Sequence, residues 1–201
     1  MTEAEWAACR DPAQLLDYHR MKRDPRRLRL LAVACVRAVV PADAPALVAE
    51  VLDVVERYAD GVATRAEFLA ARKAVRRSAG DGHPAVLLLR NLTDDAMEGM
   101  TLTIWKARQL AGPEGGALEC GLNRCVFGNP YRPTAFDPAW RTETVVALAR
   151  GVHADRAFER LPVLADALED AGCTDADVLA HSRAAGPHAR GCWVIDGLLG
   201  R

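Results

Sequence analysis

At 201 residues, with 26 Lys and Arg against 27 Asp and Glu, the chain has a formal net charge of −1 and carries no global attraction for polyanions. Half of its residues are hydrophobic, which excludes an intrinsically disordered chain, and only 5% are aromatic. No apolar run approaches the roughly 20 residues of a membrane helix, and the opening MTEAEWAACRDP lacks the apolar core of a secretory leader.

The expected location is therefore cytoplasmic. There the six cysteines are reduced, metal-bound or simply buried rather than paired as disulfides. Ala, Leu and Val dominate the apolar residues; Ala and Leu lose little conformational entropy in a helix, so helices are favoured.

In chain order, Thr2 with Glu5 fits a capping box. Asp11-Pro12, Asp24-Pro25 and Asp137-Pro138 each put an N-cap residue before a proline at the first helical position. The clearest predicted helix starts at Asp24-Pro25 and runs to about Val40, where Pro41 ends it. Leu28, Leu31, Ala32, Cys35 and Val39 share one face, with Arg27 and Arg37 free to lie away from it.

Pro45 to Ala59 is the next helix, with Leu47, Val51, Val54, Val55 and Tyr58 as its apolar stripe and Asp60-Gly61 as its stop. Thr64 with Glu67 opens another, to about Ser78. The stretch from Ala79 to Pro84 is the best linker candidate.

Pro84 to Leu92 and Thr93 to Leu110 are predicted helical, the second with Met97, Met100, Ile104 and Trp105 as core candidates. Gly112 to Gly116 breaks the pattern, and a short helix follows through Cys125. Two prolines and a glycine make 127–136 an irregular loop. Helices are then expected at Pro138 to Gly151, Leu161 to Ala171, Thr174 to Ala184 and Cys192 to Leu199. There is neither strand alternation nor a fixed repeat. The expected fold is all-α, a bundle of short helices in two packed parts, 1–79 and 84–201, or one continuous domain.

Three groups of residues can carry chemistry. Cys173, His181, His188 and Cys192 form C-x7-H-x6-H-x3-C across a Gly186-Pro187 turn. Two thiolates and two imidazoles suit tetrahedral zinc, although the spacing matches no standard finger. The plainer alternative is two buried cysteines and two turn histidines. Cys120 and Cys125, C-x4-C, would supply ligands if they packed near that segment; otherwise they are two helix positions, one facing the core. As an enzyme, the chain would use Cys173 with His181 or His188 as base, against the opposing charge of Glu169, Asp170 and Asp175.

The second group is basic. Arg23, Arg26, Arg27 and Arg37 on the N-terminal helices are candidates for nucleic-acid phosphates, or else form a solvated helix face. His19 and His153 stand alone as surface or capping residues. The third group, Tyr131 and Arg132 in FGNPYRP with Trp140, is a candidate partner-binding ridge, or else a connector packing its own aromatics. No phosphate loop, nucleophile elbow or HExxH is present, so no catalytic residue is assigned.

Several strings together resemble an expanded family of uncharacterised planctomycete proteins. They are MTEAEWAAC, ERYADG at Glu56 to Gly61, FGNPYRP, DPAW at Asp137 to Trp140, RLPVLADALEDAGCTDADVLAH and RGCWVID. The likeness spans nearly the whole chain. Members of that family are associated with repeat-companion and SMI1/KNR4-type proteins, and LADALEDAG looks like the short acidic helix of repeat-companion domains. The resemblance implies an interaction module rather than a reaction. Where relatives often carry a cysteine, this chain has Ser182, which removes one thiolate. The leading expectation is thus a non-enzymatic protein-interaction or adaptor module with a protein partner, a candidate structural zinc and no membrane contact. Nucleic-acid binding and a Cys/His enzyme are the alternatives.

Overall fold

The computed structural model describes residues 1–20, 24–78, 82–91 and 96–201, with backbone alone at 18–20 and 96–98. Among these residues the chain forms twelve α-helices and no strand, which establishes the all-α class. In order they are α1 (Glu3–Ala8), α2 (Pro12–Arg20), α3 (Pro25–Arg37), α4 (Ala46–Ala59), α5 (Arg65–Ser78), α6 (Pro84–Leu89), α7 (Ala96–Leu110), α8 (Gly115–Phe127), α9 (Glu143–Asp155), α10 (Leu161–Asp170), α11 (Ala176–Arg183) and α12 (Trp193–Leu199). None is long and apolar enough to cross a membrane.

Local chemistry accounts for many of the helix starts. Thr2 and Glu5 close the capping box on α1, and Thr64 and Glu67 do the same for α5. Asp24 Oδ1 accepts the Arg27 N–H at 3.0 Å, with Pro25 as the first residue of α3. The expected helix from Pro138 is instead a single 3-10 turn, Pro138–Trp140, capped by Asp137. The chain then restarts at Thr142, whose hydroxyl accepts the Val145 N–H and opens α9. Two capping residues five positions apart favour two starts over one continuous helix.

The chain divides into two compact units, Met1–Asn123 and Arg124–Arg201. The division falls within α8, not at the Gly-rich stretch near residue 80. A glycine linker lowers the cost of bending the backbone, but unit boundaries follow where packing stops. In the first unit α3 packs against α7 and α4, and α4 packs against α5. Leu28 and all residues from Leu30 to Val36 are buried, so α3 is covered nearly all round rather than along one stripe. Val55 on α4 and Met100 and Ile104 on α7 are buried as well, and Phe68 on α5 is buried and stacks on Tyr58 of α4. Each fully buried side chain of this size contributes roughly 1.5–3 kcal/mol of transfer free energy.

Trp105, expected in the core, is 47% exposed. At 100° per residue it turns off the face that carries Met100, Ile104 and Ala107 into the interior. The side chain of Met97 lies outside the described residues.

The second unit packs α10 against α11 and α9, and α9 against α12. Its core is Val145, Ala149, Val152, Leu161, Leu164, Leu168, Val178, Ile195 and Leu198, with Phe136 and Trp193 against it. The segment 128–137 has no regular structure, as its prolines require.

Candidate metal centre

Four side chains of the second unit converge. Cys125 lies on the last turn of α8, His181 on the last turn of α11, His188 in the turn between α11 and α12, and Cys192 at the N-cap of α12. One ligand atom from each lies within 4.8 Å of all the others. His181 Nε2 is 3.2 Å from Cys192 Sγ, and Cys125 Sγ is 3.7 Å from His188 Nδ1. A tetrahedron with bonds of 2.3 Å to sulfur and 2.0–2.1 Å to nitrogen has edges of roughly 3.3–3.8 Å. Both distances are close to such edges.

The local sequence explains the arrangement. The turn Gly186-Pro187 reverses the chain after α11, so His188 returns alongside His181, with ring centroids 5.0 Å apart and planes at 90°. His188 Nε2–H donates to the Ala184 carbonyl at 3.0 Å, which leaves the Nδ1 lone pair for the centre. Trp193 walls one side, 5.3 Å from the His181 ring. It also packs beneath Gly128, where an added Cβ would meet the indole at 3.1 Å. Gly128 has φ of +67°, so both its conformation and its lack of a side chain let the chain leave α8 next to the site.

Both sulfurs are buried, Cys125 at 1% and Cys192 at 0% exposure, while the two histidines are half-buried. Burial opposes ionisation of Cys192. Hydrogen bonds from Cys125, His181 and His188 outweigh it and hold this thiol well below its usual range. The hydrogen bond to Cys192 and burial push the Cys125 thiol up. Burial works against a charged His188, but its bonds to Cys192 and Ala184 raise it overall. The group is thus electron-rich at Cys192, and the four residues can hold a metal ion.

Three of the four residues expected from the C-terminal spacing take part. Cys173 does not, and Cys125 stands in the fourth place. Cys173 is buried in the apolar core with Leu168 and Val178, and burial raises its thiol. That is the opposite of what a nucleophile needs and speaks against the alternative of Cys173 acting with a histidine base. The C-x4-C spacing was the available signal for Cys125. Cys120, its neighbour in that motif, is buried within the first unit.

The basic residues are engaged within the first unit. Arg26 pairs with Asp60 at 2.9 Å, Arg27 with Asp24 at 3.3 Å, and Arg37 with Asp53 at 2.6 Å and Glu56 at 3.1 Å. Carboxylates therefore neutralise the face expected to meet phosphates; Arg23 lies outside the described residues. His153, expected at the surface, is 5% exposed and sits 2.8 Å from Arg201 Nη1. The side chain of His19 lies outside the described residues.

Of the ridge, Trp140 meets Phe136 edge-on at 6.3 Å and packs against the core. The Tyr131 N–H donates to Asn129 Oδ1 at 3.0 Å, and Arg132 is 3.9 Å from Asp177 with a largely exposed side chain. Phe136 and Trp140 thus pack against the core, while the Arg132 side chain is largely exposed. Neither family models, nor curated proteins, nor solved structures gave a significant match to the chain.

Proposed function

We propose that this chain is a non-enzymatic protein-interaction module whose second unit is stapled by a structural zinc ion on Cys125, His181, His188 and Cys192. The observation that carries this reading is the approach of four ligand atoms from separate elements to within 4.8 Å. Two sulfurs and two imidazoles are the donor set that tetrahedral zinc prefers. The Ala184 carbonyl on His188 is the outer contact such sites use to orient a ligand. With four protein ligands the ion has no open position, so its work is to hold structure. Binding ties the end of α8 to the end of α11 and the start of α12, and fixes where the 128–137 loop leaves the helix.

The burial of Cys192 supports a structural over a catalytic thiol, since a substrate has to reach a nucleophile. Exposed apolar side chains support partner binding: Leu102 and Trp105 on α7 are 42% and 47% exposed, and Val163 on α10 is 54% exposed. The resemblance to a family associated with interaction domains agrees with this role. Elemental analysis of the purified full chain tests the zinc: one equivalent is expected, and a folded, metal-free protein would refute it. The interaction is tested by isolating the chain from its own cells at native size. A stoichiometric complex lost in L102A/W105A, with zinc retained, supports it; a monomer throughout refutes it.

A further inference from the structure

We propose that the cleft between α5, α6 and α7 in the first unit binds a small phosphate-bearing molecule. Its walls are Arg76 on α5, Leu87 on α6, Arg90 and Asn91 directly after α6, and Lys106 on α7. The cavity is about 680 Å³, within the range of pockets that enclose a small molecule. α5, the C-cap of α6 and α7 each bring a cation to it, and among the described residues no carboxylate lines it.

That composition departs from the rest of the unit. Arg26, Arg37, Arg57 and Arg108 each meet a carboxylate: Asp60, Glu56, Glu67 and Glu119 respectively. Cations gathered with no carboxylate among the described lining residues repel one another, and an anion among them reverses the sign of that interaction. Asn91 adds a second, independent observation. Its Nδ2 is buried against the protein without a hydrogen-bond partner, so a ligand oxygen meets it once the Asn91 side chain turns toward the cleft. A phosphate oxygen supplies both the charge and the acceptor. Arg76 and Arg90 offer planar forks for two phosphate oxygens, and Lys106 a point charge. Leu87 gives an apolar wall for the remainder of the ligand.

A bounded cleft with three cations suits a compact polyanion better than an extended strand, whose phosphates need a stripe of charge. The site is separate from the metal centre and does not depend on it.

The test is calorimetric titration of the full chain with inorganic pyrophosphate, and separately with a nucleoside monophosphate, at fixed ionic strength. Saturable one-to-one binding is expected, weakened about tenfold or more by the R90Q/K106Q pair and much less by K73Q, which is exposed on α5 one turn before Arg76 and outside the cleft lining. Tighter binding of the monophosphate assigns a nucleotide; equal or weaker binding assigns a free phosphate group. Absence of saturation below about 10 mM overturns the site. So does equal weakening by K73Q, or binding of a single-stranded oligonucleotide without binding of pyrophosphate.

Discussion

The two units solve the same problem by different means. Met1–Asn123 surrounds one helix, α3, with apolar neighbours and ties its arginines to carboxylates on other helices. Arg124–Arg201 is shorter, close to the size at which a single core supplies only a few kcal/mol. It compensates with an aromatic cluster of Phe136, Trp140 and Trp193, and with the Cys/His group beside it. A larger unit can rely on burial, whereas a smaller one gains most from a few strong constraints.

The largest expected effect tests that contrast directly. C192S removes a ligand and should abolish zinc binding, with melting of the second unit lowered by about 10 °C or more, because ligand loss forfeits metal-coupled folding energy. C173A removes a buried sulfur from the same core and should retain full zinc, at a cost of about 1–2 kcal/mol. Equal zinc loss in both variants, measured by elemental analysis, would return Cys173 to the ligand set. Protease resistance of the first unit should be unchanged in either.

In the first unit, R37A should cost about 2–4 kcal/mol by denaturant titration. It removes the Arg37 contact at 3.1 Å from Glu56, which is 2% exposed. If R37A costs no more than an average surface substitution, ion pairing does not distinguish this unit.

G197A comes next, at about 1–3 kcal/mol. A Cβ there would lie 2.0 Å from the Phe136 ring, so the aromatic cluster has to move. Near-ultraviolet circular dichroism should report the change around Trp140 and Trp193 before helix content falls.

The smallest effect is a pH dependence in the first unit. Burial raises the Glu119 carboxyl to about 7, despite Arg108 at 3.6 Å and against the ordinary 4.5. Between these values the folded chain holds a proton that the unfolded chain has lost, so stability falls as pH rises from about 5 to 7 and then levels. E119Q should flatten that slope, shifting the melting temperature near pH 7 by a few degrees at most. An unchanged slope would move the titration elsewhere.

Part of the centre was legible in the sequence. The Gly186-Pro187 turn, with His181, His188 and Cys192 around it, lies within a dozen residues, and such spacing restricts where the side chains go. The fourth member of the group was not legible, because Cys125 is 63 residues before His188 and only the packing of the second unit brings the two together. Cys173 is nearer in sequence yet sits on the far side of a packing choice: it follows Gly172 into the core with Leu168 and Val178. Similarly, the arginines of α3 were visible as a basic run, but Asp60, Asp53 and Glu56 lie on the following helix or just beyond it, and only packing sets them opposite.

By itself, the sequence determined the helical class, the starts at Thr2, Asp24 and Thr64, and the irregular stretch after Phe127. Caps, prolines and apolar periodicity act over a single turn of chain, so they are written locally. Tertiary structure alone decided the boundary inside α8, the exposure of Trp105, the engagement of the basic residues and the exchange of Cys173 for Cys125. Each of those turns on distances between residues far apart in the chain. They are set by which apolar faces pack together, and the C-terminal histidines find their second sulfur only once that packing is complete.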